Sequence, residues 1–258
     1  MRLHVETAGS GPPLVMLHGW GMHGGIWDRV ADRLTGICQV HRVDLPGHGA
    51  SAWPGAFTLD SVVDQLAAQF DRPIAVCGWS LGGQIAMHWA KREPEKIKRL
   101  VLVSSTPRFA ERDDWPHGMA KEALRQFAAE LKKNHTATLR RFLALQVRGS
   151  EGERELLAAM RASLFSRGEP DMDALRGGLE ILRGADLRRV LPDIKTPALV
   201  VAGERDKLTP VAASRYLAAG LPNARLVVID GAAHAPFLSH ADEFAKHVVE
   251  FMSEQQHG

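Results

Sequence analysis

Six short apolar runs recur along the chain, and each is followed directly by Gly, Asp, His or Ser. They cover residues 14–17, 40–43, 74–77, 100–103, 198–202 and 226–229. Short, nearly continuous apolar runs are typical of parallel strands that are buried on both faces of a sheet. The pattern therefore predicts a mostly parallel central sheet.

Segments with helical spacing of apolar residues lie between several of these runs. Residues 59–70, 81–91 and 241–252 each place apolar side chains on one helical face. Strands that alternate with helices are typical of α/β proteins, in which helices cover both faces of the sheet. We therefore predict an α/β fold.

The interval 107–192 breaks this alternation, because it contains no convincing strand pattern. Residues 121–133 and 138–147 instead show apolar positions at helical spacing. We predict that 107–192 is a helical cap, inserted between strands and lying over their carboxyl ends. Residues 1–106 and 193–258 then form the α/β core.

Composition narrows the class of protein. Of the 258 residues, 45% are hydrophobic and 24% are charged, which excludes a disordered chain. The net charge of +2 is too balanced to indicate a nucleic-acid partner by itself. Two cysteines, no signal-peptide pattern and no apolar stretch long enough for a membrane span favour a cytoplasmic protein. Because no exposed apolar stripe is obvious, we expect a monomer.

The sequence Gly78-Trp-Ser80-Leu-Gly82 follows one predicted strand and precedes a predicted helix. A G-x-S-x-G sequence in this strand–turn–helix context is typical of a nucleophile elbow. The glycines permit a tight turn, and the turn places the Ser80 hydroxyl at the N-terminus of a helix, where negative charge is favoured. Ser80 is therefore the candidate nucleophile.

A serine hydroxyl is a weak nucleophile and needs a base. His234 follows the last predicted strand, where a loop brings an imidazole over Ser80. His18, at the end of the run 14–17, is the main alternative, although its Gly-rich surroundings favour a turn that supplies backbone N–H groups. We predict that His234 is the base.

A third group must hold the imidazole in the correct tautomer. Asp206 follows the run 198–202, and the order Ser80, Asp206, His234 is that of the nucleophile-elbow class. Glu204 and Asp230 remain alternatives, because an acid beside a loop is commonly a turn residue or a helix cap.

The tetrahedral intermediate of acyl transfer needs two N–H donors. The residue after the nucleophile, Leu81, is one candidate. The second donor is expected in the loop after the run 14–17, where Trp20 is best placed. The segment around Asp44 is interpreted as a loop organiser.

These motifs, in this order, resemble the α/β-hydrolase superfamily over essentially the whole chain. Six short strings of residues are similar to those of one family within it, the esterases that hydrolyse the methyl ester of pimeloyl-acyl carrier protein in biotin synthesis. These strings are His18–Gly21, 78–83, 112–116, 141–146, 177–182 and 233–237. The resemblance implies release of methanol and of the pimeloyl carrier protein. It also implies a substrate site lined by Trp20, Ser80, Leu81, Phe142, Leu143, Ala144, Leu145, Gln146 and His234.

The predicted cap is basic. Residues 119–148 contain seven Lys or Arg and two Glu, a balance of +5. We define the basic cap patch as Lys121, Arg125, Lys132, Arg140, Arg141 and Arg154, of which Arg141 and Arg154 match carrier-contacting arginines of the resembled esterases. Such a patch would steer an acidic carrier protein. The alternative is a solvated helix face that keeps the cap soluble.

The prediction is thus a serine carboxylesterase with no metal and no organic cofactor. One alternative is a generalist carboxylesterase that acts on short free esters with the same triad. Peroxidase-like and carbon–carbon bond hydrolases also share the triad, whereas a haloalkane dehalogenase would need a carboxylate at position 80. A non-catalytic ligand receptor on this fold is the alternative from another class.

Overall fold

The structure is a computed structural model that describes residues 2–52 and 55–254. Seven strands lie within these residues: β1 (Val5–Ala8), β2 (Pro13–Leu17), β3 (Gln39–Val43), β4 (Ile74–Trp79), β5 (Ile97–Val103), β6 (Ala198–Gly203) and β7 (Ala224–Ile229). They form one sheet in the order β1-β3-β2-β4-β5-β6-β7. All six predicted strands are present, and the mostly parallel α/β fold is confirmed.

The parallel register brings the ends of six strands, β2 to β7, to one edge of the sheet. Leu17 pairs with Gly78 and Trp79 with Val103, while Gly203 pairs with Ile229. The central strand β4 is buried along its full length, as its continuous apolar run predicts. The loops after β2, β4, β6 and β7 therefore meet at the carboxyl edge, where α/β proteins bind ligands.

The seventh strand, β1, was not among the predicted strands. It is antiparallel to β3, with Val5 opposite Val43, and it forms the edge of the sheet. Its sequence is Val-Glu-Thr-Ala, and its side chains are half-buried or exposed. A short edge strand needs no continuous apolar run, so the pattern used for the buried strands does not find it.

Helices occupy the intervals between the strands. They are α1 (Asp28–Leu34), α2 (Leu59–Gln69), α3 (Leu81–Arg92), α4 (Lys121–Lys133), α5 (His135–Val147), α6 (Glu153–Ser163), α7 (Met172–Gly184), α8 (Val211–Gly220), α9 (Pro236–Ser239) and α10 (Ala241–Ser253). Helix α1 packs against α10, and α2 packs against α3. Within the described residues, no helix is long and apolar enough to cross a membrane.

Four helices, α4 to α7, lie between β5 and β6 in residues 107–192, which we call the cap segment. Helix α4 has the predicted bounds. Helix α5 begins at His135 rather than at 138, because the Asn134 side chain accepts a hydrogen bond from the Ala137 N–H at 2.9 Å and caps the helix there. The division into a cap and a core stays a prediction.

Helix α7 contains two glycines where close contacts exclude a side chain. A Cβ at Gly177 would lie 2.5 Å from the Phe57 carbonyl oxygen, and one at Gly178 would lie 2.7 Å from the Trp20 ring. These glycines lower the intrinsic helix propensity but let α7 approach the turn after β2. The cap segment is thereby packed directly against the turn that carries Trp20.

Candidate active site

The nucleophile elbow has the strained backbone that its sequence predicts. Ser80 lies between β4 and α3 with φ 55° and ψ −115°, a conformation that is uncommon for a residue with a side chain. A Cβ at Gly78 would lie 2.3 Å from the Gly82 carbonyl oxygen, and a Cβ at Gly82 would lie 2.4 Å from that of Leu17. Both glycines are therefore required by the packing of this turn.

The structure brings His234 and Asp206 together. His234 lies in the loop after β7, and its Nδ1 is 2.8 Å from Oδ2 of Asp206, which lies in the loop after β6. Since a carboxylate can only accept, Nδ1 carries the proton and donates it. The other ring nitrogen, Nε2, is buried and has no hydrogen-bond partner in the described part of the chain. His234 thus presents an unprotonated nitrogen that is free to accept a proton.

The carboxylate of Asp206 is fully buried and accepts four hydrogen bonds. The N–H groups of Leu208 and Thr209 donate to Oδ1 at 2.9 and 3.0 Å, and the Thr209 hydroxyl donates to Oδ2 at 2.7 Å. Burial alone would raise the pKa of Asp206, but His234 and the Thr209 donors together hold it below its usual value. The carboxylate therefore stays charged beside the imidazole.

The loop that carries His234 is held from two sides. The His234 N–H donates to the Gln146 carbonyl oxygen at the end of α5, at 3.0 Å. The indole N–H of Trp79 donates to the His234 carbonyl oxygen at 2.8 Å. The structure places the Trp79 ring in the core and its N–H on the loop of the predicted base.

The alternative base, His18, has no free nitrogen. Its Nε2 accepts from the Leu45 N–H at 3.0 Å, and its Nδ1 therefore donates to the Gly19 carbonyl oxygen at 2.8 Å. Burial, and then the neighbouring His48 ring, hold the pKa of His18 well below its usual range. His18 is a neutral residue that shapes the turn after β2.

The alternative acids also have other roles. Glu204 accepts from the Gly231 N–H at 3.0 Å, and Asp230 is exposed. Asp44 is buried and accepts from the N–H groups of Gly24 and Ala50 at 2.7 and 2.9 Å. It therefore organises its loop, as the sequence predicts.

Asp44 also links the cap segment to the core. Arg167, in the loop before α7, donates to Asp44 at 3.1 Å and to Glu6 of β1. The buried carboxylate is thus neutralised by a cation from the cap segment, which fixes that loop over the core.

The predicted oxyanion donors lie at two N–H positions of the carboxyl edge. Leu81 is the first residue of α3, where no preceding turn supplies an acceptor for its N–H. Trp20 lies in the turn after β2, which is closed by a hydrogen bond of 3.2 Å from the Met22 N–H to the Gly19 carbonyl oxygen. The Trp20 indole N–H donates to Leu175 of α7 at 2.8 Å, so only its backbone N–H is available to an oxyanion. The roles of Trp20 and Leu81 stay predictions.

The predicted substrate residues of α5 divide into two groups. Phe142 packs edge-on against the Trp20 ring at 5.1 Å, and Gln146 contacts the His234 loop through its carbonyl. Leu143 is buried in the core, whereas Ala144 and Leu145 are half-buried. Among the described residues, contacts of Phe142 and Gln146 therefore connect this stretch of α5 to the candidate site.

The site is enclosed in this structure. Ser80 is 6% exposed and His234 is 1% exposed. A cavity of about 770 Å³ lined by Pro13 and Ile74 lies at the amino ends of β2 and β4, opposite the catalytic loops, and is no part of the site. Among the described residues, no three His, Cys, Asp or Glu side chains are grouped so as to hold a metal ion.

The basic cap patch is exposed, but two of its members have acidic partners. Arg125 pairs with Glu122 at 2.8 Å, and Arg141 pairs with Glu130 at 2.7 Å. For Lys121, Lys132, Arg140 and Arg154, the described residues provide no ion pair. Among the described residues, four of the six cations of the patch therefore have no acidic partner.

Comparison with known proteins identifies the family of this chain. A family model for the alpha/beta hydrolase fold matches residues 12–241. The chain belongs to the α/β-hydrolase fold family. The hydrolase is also similar to a solved esterase from Exiguobacterium antarcticum, with a TM-score of 0.87 and 24% identity over 98% of this chain and 96% of that one. That likeness concerns the fold alone.

Similarity to curated relatives extends through the cap segment. The hydrolase is 48% identical to a pimeloyl-[acyl-carrier protein] methyl ester esterase of Chromobacterium violaceum over 99% of this chain and 100% of the relative. It is 46% identical to the enzyme of the same name from Nitrosomonas europaea over 94% of this chain and 96% of the relative. The resemblance predicted from the sequence motifs is confirmed.

Proposed function

We propose that this hydrolase is a serine carboxylesterase that cleaves the methyl ester of pimeloyl-acyl carrier protein and releases methanol and pimeloyl-acyl carrier protein in biotin synthesis. The observation that carries this proposal is the similarity to esterases of that name over nearly the full chain. Caps are where hydrolases of this fold differ in substrate, so similarity that includes residues 107–192 supports the substrate as well as the chemistry.

Ser80 begins the reaction. Its Oγ attacks the ester carbonyl carbon while His234 Nε2, which has no other described partner, accepts the hydroxyl proton. The imidazolium that forms donates through Nδ1 to Asp206, whose charge stabilises it. The backbone N–H groups of Leu81 and Trp20 hold the oxyanion of the tetrahedral intermediate.

Collapse of the intermediate breaks the bond to the methoxy group. His234 returns its proton to the departing oxygen, so methanol leaves and the pimeloyl group remains as an ester of Ser80. Water then attacks the carbonyl carbon of this acyl-enzyme, and His234 accepts a proton from the attacking water. The second tetrahedral intermediate releases the free carboxylate, and the proton returns to Ser80. The ester and water are the reactants, and protein residues supply the nucleophile, the base and the oxyanion donors.

The cap segment supplies carrier docking in this proposal. Lys121, Lys132, Arg140 and Arg154 are exposed and have no ion pair among the described residues, so they are available to an acidic carrier protein. Helix α5 carries Arg140 on its surface and Phe142 beside Trp20. A carrier bound on this face would therefore lie over the residues that flank the site. We take one chain as the active unit.

The alternative in the same enzyme class is a generalist carboxylesterase for short free esters. The internal pairs of Arg125 and Arg141 favour it, because each removes one cation from the docking surface. A receptor with no activity is the alternative from another class. A fluorophosphonate probe separates it from both esterases, since the probe labels an activated serine and leaves an inactive Ser80 unlabelled.

The experiment that tests the proposal uses methyl-pimeloyl-acyl carrier protein, purified hydrolase and the Ser80→Ala variant. Mass spectrometry of the carrier reports loss of the methyl group. Rapid loss with wild type, and none with Ser80→Ala, is the expected result. Slow loss combined with fast hydrolysis of small free esters would replace the proposal with the generalist esterase.

A further inference from the structure

The Thr209 hydroxyl lies between the acid and the base of the candidate triad. Its Oγ1 is 2.7 Å from Asp206 Oδ2 and 3.3 Å from His234 Nδ1. The same Oδ2 accepts the His234 hydrogen bond at 2.8 Å. The three side chains thus form a triangle in which each contacts the other two, and each is 5% exposed or less.

Proton positions in this triangle follow from the donors and acceptors. Nδ1 of His234 carries a proton for Asp206, so it cannot accept from the hydroxyl. The Thr209 hydroxyl must therefore donate to Oδ2 of Asp206. One carboxylate oxygen is shared by two donors, the imidazole and the hydroxyl.

The Thr209 hydroxyl is not needed to form the turn that carries Asp206. That turn is already held through Oδ1, which accepts from the N–H groups of Leu208 and Thr209. The side-chain bond is made to the other oxygen, the one that faces His234. Its effect is therefore exerted on the acid–base pair rather than on the backbone of the loop.

We propose that Thr209 is a positioning residue that shares Oδ2 of Asp206 with His234 and so sets how strongly the carboxylate holds the imidazolium. A second donor on one oxygen fixes the direction of the carboxylate toward Nδ1 and disperses part of its negative charge. This inference rests on the triad of the proposed function.

Removal of the hydroxyl then has a predictable sign. In Thr209→Val the carboxylate keeps its charge but loses one donor, so it interacts more strongly with the imidazolium. The protonated imidazole is therefore stabilised more strongly in the variant than in wild type. We expect the acidic limb of kcat/KM to move upward by about 0.5 pH unit, and kcat to fall about threefold because the carboxylate is less firmly oriented.

The other charged groups around the pair are exposed or half-buried, and the substitution leaves their charges unchanged. They are Glu204, Arg205 and Lys207 beside Asp206, Asp230 in the His234 loop, and Arg148 and Glu151 of the cap segment, with His240 next to Glu151. His240 is half-buried, and the six others are exposed to solvent. Solvent screens their effect on the pair, and Thr209→Val leaves their charges in place.

The test compares wild type, Thr209→Val and Thr209→Ser by pH–rate profiles with p-nitrophenyl butyrate. Thr209→Ser keeps the hydroxyl and is expected to restore the wild-type acidic limb. Thr196→Val is the matched control, since Thr196 is a buried threonine whose hydroxyl donates to the carbonyl oxygen of Ile97 at 3.3 Å, at the start of β5 and away from the site. Thermal unfolding of each variant reports whether the fold is retained.

An unshifted profile in a folded Thr209→Val, or a shift of equal size in Thr209→Ser, would overturn the inference. The first would show that the hydroxyl does not act on the pair, and the second that the methyl group or the turn is what matters. Ser80→Ala, assayed with the same ester, keeps this result separate from the proposed function. If Ser80→Ala abolishes hydrolysis, the proposed nucleophile stands whatever Thr209→Val does.

Discussion

His234 donates its backbone N–H to the carbonyl oxygen of Gln146 over 3.0 Å, and this bond joins the predicted base to the end of α5. Two further hydrogen bonds connect the same parts of the chain. Glu151 N–H donates to Gly231 at 3.1 Å, and the Arg205 side chain donates to the Gly149 carbonyl oxygen at 3.3 Å. The cap segment is thus bonded to the loops that carry both the acid and the base.

The Trp79 indole N–H also holds the His234 loop, from the side of the core. The Trp79→Phe substitution removes this N–H and keeps an aromatic ring. We expect kcat for a p-nitrophenyl ester to fall about tenfold, because the His234 carbonyl loses its donor and the imidazole is less well oriented. The free energy of unfolding should fall by about 1 kcal/mol for the lost hydrogen bond, and further because phenylalanine leaves part of the buried indole volume empty. Steady-state kinetics and urea unfolding measure the two effects.

Trp89→Phe is the control for that substitution. Trp89 lies on α3, and its indole N–H donates to Glu93 at 3.0 Å, at the end of the helix remote from Ser80. Its loss should lower stability by a similar amount and leave kcat unchanged. Full kcat in a folded Trp79→Phe would contradict the assigned role of Trp79.

Charge reversal tests carrier docking. Lys132→Glu, Arg140→Glu and Arg154→Glu together should raise KM for the carrier-bound ester about tenfold at low salt, because three attractions become repulsions. KM for p-nitrophenyl butyrate should stay the same, since that ester does not contact the patch. The difference between the two substrates should shrink as salt is added.

The control for charge reversal carries the same change of net charge elsewhere. Arg29, Arg72 and Arg215 are exposed residues of the core, and their reversal to Glu should leave KM for both esters near wild type. Equal effects of the two triple variants would mean that net charge, and not the cap surface, attracts the carrier.

Stability should fall in acid because of His48. Burial lowers its pKa from 6.5 to about 4. The unfolded chain therefore binds a proton that the folded chain does not, and the free energy of unfolding decreases as the pH drops from 6.5 toward 4. The total loss from this residue is about 3 kcal/mol, and above pH 6.5 it contributes no pH dependence.

His48→Asn reports this contribution. An Asn amide can replace the hydrogen bond of 3.0 Å from His48 Nδ1 to the Pro46 carbonyl oxygen, and it does not titrate. Urea unfolding between about pH 7 and pH 4.5 should give a shallower decline for the variant than for wild type. Parallel declines would assign the acid sensitivity to other groups, His18 first among them.

Strands and triad positions could be predicted from the sequence because each depends on local signals. The buried strands are continuous apolar runs, and Ser80, Asp206 and His234 each follow one of them. A parallel sheet places the ends of such strands at one edge, so sequence order alone brings these residues near each other. The distance between Asp206 and His234 agrees with that expectation.

The features that were not predicted from the sequence depend on contacts between segments that are far apart in the chain. Helix α7 contains Gly177 and Gly178, which weaken its helical pattern. The need for glycine at these positions is seen only in their close contacts with Phe57 and Trp20. Helix α6 likewise was not predicted. The bonds of His234 to Trp79 and Gln146 join residues far apart in the chain and leave no local pattern.

The contact between the Thr209 hydroxyl and Asp206 could not be predicted from the sequence, although the two residues are close in the chain. Thr209 follows Asp206 by three residues in a turn, where a threonine hydroxyl ordinarily bonds its own backbone. Only the folded structure shows that the hydroxyl instead points to the carboxylate oxygen shared with His234.

Insertion of residues 107–192 between β5 and β6 has a consequence for the order of assembly during synthesis. Strands β5 and β6 are neighbours in the sheet, yet the whole cap segment separates them along the chain. A nascent chain that ends before β6 already contains Ser80 but has neither Asp206 nor His234. Under the proposed triad, activity therefore appears only after β6 and β7 have joined the sheet and brought Asp206 and His234 to its carboxyl edge.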